Sequence, residues 1–515
     1  VNAENNDTEN PLSDMTIPYT EEGYKIAGNI TLAKEYNGNS ITWETSDKDT
    51  ISTEEKEFSE ADKAEYGANY TTIPAGIVKR PKDGDKIVTL TAKTEKDGIS
   101  YSKVFEVTVK KAPEMNYKEM IAADEVQSGV FTGYLYASFI EPAVETQYQQ
   151  VYFAISDDGL NWKDSNGNKP VLTSAMGTKG LRDPYILRSA EGDRFYLLAT
   201  DLDFADTSWY NNPSKNIMIW ESDDLVNWSE QRSVPIADEN THYAWAPEAI
   251  YDELTGEYIV YWSGKDITGT NKDDPDAVNV VYYSKTRDFY SFTPQQKYVE
   301  PIETDGQPNE NGRPTSTNFL DTTMIQGSDG LFYRTTKYEG APQYPFVDVA
   351  KYPLGEFRRL KTNLDDENAF GGTEGAGWYR FNKDDTEGGK PKYGMMLDGY
   401  RGKNKGVGFF PNTVSDLNCG WEAVQEGTAE LTFTRVRSNF KMRSYAKHGG
   451  IIPLTPEEYD RVKSAFNPPI NYSDTKPEPY AVYDFEDMAL SDINAAFTTG
   501  ASLADDTEKG SKVLY

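Results

Sequence analysis

Four carboxylates recur at one point of a repeated pattern. Asp183 opens a short apolar run at 184–188, and a turn leads to the alternating segment 195–200. Glu248 stands before 249–251, answered by 257–262. Asp321 stands before 322–325, answered by 331–334, and Glu374 before 375–379, answered by 392–397. Each pair of segments reads as a β-hairpin with an acid at the mouth of its first strand. The pattern predicts four acids at equivalent points, in a chain built to bring them to one place. Converging carboxylates can divide general-acid and general-base roles between them. Other chemistries have fewer residues to draw on. His242 and His448 are the only histidines and Cys419 is the only cysteine. That excludes a multi-histidine zinc site and an internal disulfide, and it weakens any Ser-His-Asp reading.

The elements that must position these acids are repeats. Residues 153–162, FAISDDGLNW, are echoed by 219–228, IWESDDLVNW, and more weakly by 281–290, with a faint fourth copy at 347–352. Ser156, Ser222 and Ser284 mark the register, 66 and 62 residues apart. Four-stranded units at this spacing predict a β-propeller with the acid-bearing strands innermost. Four blades begin near the four acids. A fifth is expected from about 430 to 452, with strands at 431–436 and 440–443, completed by the strands at 131–155. Such closure removes exposed sheet edges. Thr455, Pro456 and the acids after them predict a short terminal helix.

The flanks differ. Short alternating strands from about 17 to 111, divided by turn residues, suggest a β-sandwich over 14–112 that serves as a spacer. The fold class is therefore all-β: an immunoglobulin-like sandwich followed by a five-bladed propeller at 113–466. Residues 467–515 form a linker and the start of a further domain. The chain begins at Val1 and stops in a strand-like stretch, and is read as a fragment. With 84 acidic and 52 basic residues the net charge is −32, which repels nucleic acid and anionic membranes and suits a neutral ligand. No apolar run reaches the roughly 18–20 residues that span a bilayer.

Several motifs carry a resemblance. Arg182-Asp183-Pro184, Trp245-Ala246-Pro247-Glu248, Leu320-Asp321-Thr322 and Thr373-Glu374-Gly375-Ala376 occur in the order and setting of glycoside hydrolase family 43, a family of five-bladed propellers. The resemblance covers roughly 128–466. Thr322 and Ala376 stand where the family has proline, and neither change touches an acid. Segments such as ITWETSD and FEVTVKK resemble bacterial immunoglobulin-like modules, and 481–515 resembles the opening of a laminin-G-like domain.

The resemblance implies Asp183 as general base, Glu374 as general acid and Asp321 as the carboxylate that orients Glu374 and modulates its pKa. Trp245, Arg182, Glu248, Tyr400 and Arg401 are the expected substrate contacts, with Glu248 structural or a hydroxyl partner, and Arg182 and Arg401 either binding sugar hydroxyls or pairing with the acids. His448 lies where some relatives place a histidine near a channel calcium, so a structural calcium is one expectation, though no cofactor is required. The implied enzyme is an inverting glycosidase, exo-acting and of arabinofuranosidase or xylosidase type, on plant-type polysaccharide or oligosaccharide. It would work outside or on the surface of a bacterium, without membrane insertion. A galactanase- or galactofuranosidase-like specificity and a non-catalytic glycan-binding propeller are the alternatives. An acid before a hairpin strand is by itself often a turn former; for Asp183, Asp321 and Glu374 together, in order with these flanks, that is the lesser reading.

Overall fold

The computed structural model describes residues 10–20, 23–308, 312, 314–340, 343–364, 370–466, 503–506 and 511–514. Most of the laminin-G-like stretch lies outside the described residues; what is described there is a hairpin of Leu503–Asp506 with Ser511–Leu514.

Five sheets follow from the hairpin repeats. Leu181–Arg188, Trp245–Asp252, Phe319–Gln326 and Thr373–Arg380 each begin a sheet of four antiparallel strands running outward in chain order. The fourth sheet carries an added parallel strand, Lys361–Leu364, against Glu430–Arg435. The fifth sheet has Ala446–Leu454 innermost, then Gly133–Ile140, Tyr152–Ser156 and Trp162–Asp164. Ala446 pairs with Ile140 and Leu454 with Gly133, so strands from both ends of the span share one blade. The innermost strands touch in a cycle, 181–188 to 245–252 to 319–326 to 373–380 to 446–454 and back to 181–188. The ring is therefore a closed five-bladed propeller. Helix Pro456–Ala465 follows, with Thr455 as its side-chain cap.

Two details of the sequence reading change. Glu430–Arg435 is the outer strand of the fourth blade, not part of the fifth, because it pairs with Gly408–Val414. Residues 440–443 form no strand and make a single bridge, Asn161 to Lys441. The repeat register also moves. Ser156 Oγ accepts from Gly159 N at 2.9 Å, and Asp158 accepts from Asn161 N at 2.7 Å. Ser222 and Asp224 repeat those bonds with Leu225 and Asn227. In the next blade it is Thr286 and Asp288, not Ser284, that hold Phe289 and Ser291. Gly159, Leu225 and Phe289 all have positive φ, so the turn geometry and not the residue type defines the repeat.

The N-terminal sandwich is built on the sheet Thr42–Thr45, Lys86–Lys96 and Ile99–Val109. Alternation places Val88, Leu90, Phe105, Val107 and Val109 inside, against Leu12, Met15 and Ile30. The module is not a loose spacer. It docks on the propeller face opposite the mouths of the acid-bearing strands. Arg80 grips Asp193 with two nitrogens at 2.8 and 2.7 Å. Asp288 accepts from the Tyr19 hydroxyl and from Thr31 N. Phe58 and Tyr70 join the core of the third blade, and the Tyr70 hydroxyl accepts from Leu354 N at 3.2 Å. A Cβ on Gly67 would meet the Leu354 carbonyl at 2.9 Å, so the backbones meet where glycine alone fits. Removing a buried aromatic ring of this kind costs about 3 kcal/mol. Tyr70→Ala should therefore destabilise the propeller itself, measured by denaturant unfolding of full-length chain. An unchanged propeller transition would show that the module is only tethered.

Candidate active site

The innermost strands are all interrupted at the same place. Pairing with the second strand skips between Arg182 and Tyr185, Trp245 and Glu248, Leu320 and Thr323, Glu374 and Gly377, and Ala446 and Gly449. Each skip is a β-bulge, a device that re-aims side chains near functional sites. Its first residue is Asp183, Ala246, Asp321 or Gly375 in the first four blades, with φ of 47°, 47°, 50° and 56°. Left-handed backbone suits glycine and is tolerated by aspartate; at Ala246 it is strain, of about 1 kcal/mol or more.

The bulge corrects the reading of four equivalent acids. Asp183 and Asp321 are equivalent. Glu374 sits one residue before its bulge, level with Trp245 and Arg182, and Glu248 sits just after its own. The acids reach one mouth by three different offsets.

Second-strand side chains hold the bulges across blade boundaries. Thr200 Oγ1 donates to Asp183 Oδ2 at 3.0 Å and accepts Ala246 N of the next blade at 2.7 Å. Ser263 Oγ accepts Asp321 N at 3.0 Å. Lys337, paired opposite Leu320, donates to Glu374 Oε2 of the following blade at 2.9 Å. Asp398, opposite Glu374, takes Lys447 of the closing blade at 2.7 Å. Asp321 Oδ2 accepts Gly375 N at 3.1 Å, tying the third bulge to the fourth.

His448 closes the cluster. Its Nδ1 lies 3.2 Å from Asp183 Oδ1 and its Nε2 3.7 Å from Glu248 Oε1. Its ring packs where a Cβ on Gly375 would be, 2.8 Å from the His448 Cβ. Burial alone would strip its proton, but Asp183 and Glu248 outweigh burial and hold its pKa well above the usual imidazole value. Burial would raise the Asp183 carboxyl; His448, Arg182 and Thr200 overcome that and bring it below its ordinary range. Glu248, enclosed, is raised by burial despite His448. Lys337 has only 4% of its side chain exposed. Burial opposes its charge, but Asp321, Glu374 and Glu339 together push its pKa well up. Glu374 keeps 29% exposure at the mouth.

The remaining predicted residues divide. Trp245 stacks on Tyr243 with centroids 3.7 Å apart and lines the mouth. The Tyr400 ring lies 5.5 Å from Lys337 Nζ, next to Glu374. The Arg182 side chain turns to Gln149 and Glu141, at 3.2 and 3.5 Å, and its guanidinium covers the Phe139 ring; it acts on Asp183 through its charge. Arg401 is exposed, against Tyr400. The calcium expectation for His448 concerns the same side chain that closes the carboxylate cluster. His448 faces Asp183 and Glu248, and among the described residues no group of three or more His, Cys, Asp or Glu converges to hold a metal. Sequence reasoning missed Lys337 and Lys447. Lys337 lies in the strand Phe332–Tyr338, FYRTTKY, whose mixed polar sequence gives no sign that every residue in it is buried.

Comparison with known proteins matches this part of the chain. A family 43-related model described as a probable glycosyl hydrolase domain matches residues 129–460, and one described as an atrophied bacterial Ig domain matches 68–112. An α-L-arabinofuranosidase from Bifidobacterium longum subsp. longum is 30% identical over 363 residues, 66% of this chain and 31% of that protein. The chain thus spans about a third of the length of that relative. An endo-1,4-β-xylanase structure from Bacteroides thetaiotaomicron aligns with 62% of this chain and 93% of its own, at 12% identity and a TM-score of 0.40. A thermostable family-43 glycoside hydrolase aligns over 54% and 81%, at 16% identity and a TM-score of 0.34.

The two histidines provide a direct check of these electrostatics. Burial lowers the His242 pKa, with the Tyr210 carbonyl and nearby lysines as smaller influences. Imidazole NMR should show His242 neutral and His448 still protonated at pH 7.5. Asp183→Asn should bring the His448 titration down. Because the folded pKa of His448 is raised, its contribution to stability is complete below about 6.5, the unfolded value, and is lost as pH rises through the folded one. Two ordinary titrations near 6.5 would refute the arrangement.

Proposed function

This chain belongs to the glycosyl hydrolases related to family 43, and from that premise we propose that it is an inverting, exo-acting glycosidase that releases arabinofuranosyl or xylosyl units from plant-type glycans. The observation that carries the reading is the gathering of Asp183, Asp321 and Glu374 at one mouth, with their backbones and partners fixed by neighbouring blades. The 30%-identical arabinofuranosidase supports the choice of sugar.

Inversion needs a base that activates water and an acid on the far side of the bond, with carboxyl groups roughly 6.5–9.5 Å apart. Asp183 has the character of the base: His448 and Arg182 keep it ionised, leaving a lone pair for the water proton. Glu374 is the acid. It is the more exposed of the pair and stands at the rim where a leaving group would exit. Asp321 orients it through the Gly375 amide and the shared Lys337. The site holds more carboxylates than cations, counting Glu141, Asp183, Glu248, Asp321, Glu339, Glu374 and Asp398 against Arg182, Lys337, Lys447 and His448. That surplus favours retention of a proton somewhere in the cluster. Trp245 offers a flat apolar wall to the C–H face of the sugar. Such an enzyme, with an immunoglobulin-like module, fits a bacterial extracellular or cell-surface setting.

Asp183→Ala and Glu374→Ala should each lower kcat by about 10²-fold or more on nitrophenyl arabinofuranosides or xylosides. A dinitrophenyl glycoside, whose leaving group needs no proton, should restore much of the rate to Glu374→Ala and little to Asp183→Ala. Equal rescue of both variants would show the roles to be wrongly assigned.

A further inference from the structure

Lys337 stands among three carboxylates and treats two of them differently. Its Nζ lies 2.9 Å from Glu374 Oε2 and 2.9 Å from Glu339 Oε2, with Asp321 Oδ2 at 3.7 Å. The contact to Glu374 is a hydrogen bond. The contact to Glu339 is not: Glu339 Oε2 is buried and, among the described residues, has no hydrogen-bond donor. The Glu339 backbone is nonetheless fixed. Its N–H donates to the Asn318 carbonyl at 2.8 Å, and Ser316 Oγ donates to its carbonyl at 2.6 Å. A carboxylate oxygen is thus kept beside a buried ammonium, at hydrogen-bond distance but without the bond. A buried acceptor left in that state has lost its hydration without replacing it. An ammonium carries three donors on a flexible stem, so a small side-chain rotation passes the bond from Glu374 to Glu339.

Glu374 has reason to release the bond. On the hydrolase reading it carries a proton to the leaving oxygen, and an ammonium bonded to a carboxylate favours the charged form. We propose that Glu339 is a positioning residue that competes with Glu374 for Lys337, and takes over the ammonium while Glu374 carries its proton. The inference rests on that reading for the role of Glu374. Glu374 takes a proton from solvent as Lys337 turns to Glu339. It gives that proton to the leaving oxygen, which keeps the electron pair of the broken C–O bond. Water oxygen bonds to the freed carbon, and Asp183 takes the water proton and returns it to solvent. The Glu374 carboxylate then takes Lys337 back. The other groups around the trio do not offer this exchange. Asp321 is farther from Nζ and holds the Gly375 amide. Asp398 is taken by Lys447, which also meets Glu141. Tyr400 turns its ring to Lys337, and Arg401 lies against Tyr400. Tyr243, near Glu339, stacks on Trp245, and His448 faces Asp183 and Glu248.

The pH profile of kcat/KM on nitrophenyl arabinofuranoside or xyloside tests it, with the full chain. Glu339→Gln should move the alkaline limb down by about one pH unit, a loss of about tenfold above the parent limb. A dinitrophenyl glycoside, which needs no proton, should hide most of that loss. Lys337→Met should move the limb up, and adding Glu339→Gln to it should shift the limb far less than Glu339→Gln does alone. An unmoved limb in Glu339→Gln, or the same shift with and without Lys337, would overturn the proposal. A carboxyl titration makes the test independent of turnover. In chain labelled with ¹³C at its glutamate carboxyls, the Glu374 signal is assigned by its loss in Glu374→Gln. Glu339→Gln should move the Glu374 titration to lower pH. A chain that hydrolyses neither glycoside but shows this shift sinks the hydrolase reading alone. An active chain whose Glu374 titration ignores Glu339→Gln sinks the competition alone.

Discussion

The site depends on one repeated contact, the reach of a second-strand side chain across to the bulge of the next blade. Thr200, Ser263, Lys337 and Asp398 occupy the same position in four successive hairpins, and each binds the following innermost strand at or beside its bulge. A bulge frees backbone groups and twists a strand, so it needs an outside partner to be fixed. Here the partner comes from the neighbouring blade, so ring closure and site geometry are one property. The closing sheet, assembled from Ala446–Leu454 and Gly133–Ile140, completes the ring and delivers His448 and Lys447 into it.

The same contacts set the charges. Lys337 and His448 are buried cations that persist because carboxylates surround them, and removing one partner from such a group leaves an uncompensated charge that costs several kcal/mol. The cations in turn divide the acids. Asp183 is held ionised against its burial, whereas Glu248 and Asp398 are raised by theirs. Neighbouring carboxyl groups are thereby given different protonation behaviour. On the far face, the N-terminal sandwich shares a core with the third blade through Phe58 and Tyr70 and clamps the turns at Asp193 and Asp288, so it braces the ring from the side away from the acid-bearing mouth.

Much of this was legible in the sequence because it is periodic. Hairpins with an acid at the first strand, and turns with Ser or Thr two residues before Asp, leave marks that recur at blade spacing. What escaped has physical causes. The bulge lies in hydrogen-bond register, not in residue type, so Asp183, Ala246, Asp321 and Gly375 share a conformation that their side chains do not announce. The offsets of Glu374 and Glu248 were hidden for the same reason. Lys337 reads as a solvent-facing strand residue, and only the ring shows three carboxylates around it. Glu430–Arg435 reads one blade late because a strand carries the same alternation whichever sheet it joins. Docking of the sandwich was not legible either, since Tyr70 and Arg80 look alike whether they face solvent or another domain.

The most direct measurement is the stereochemistry of the first product. Proton NMR of hydrolysis with an arabinofuranosyl or xylosyl substrate, recorded before mutarotation, distinguishes water activated by Asp183 from attack by a carboxylate on the sugar. The account predicts that the released sugar first appears as the anomer opposite to that of the substrate. First appearance of the same anomer would contradict it.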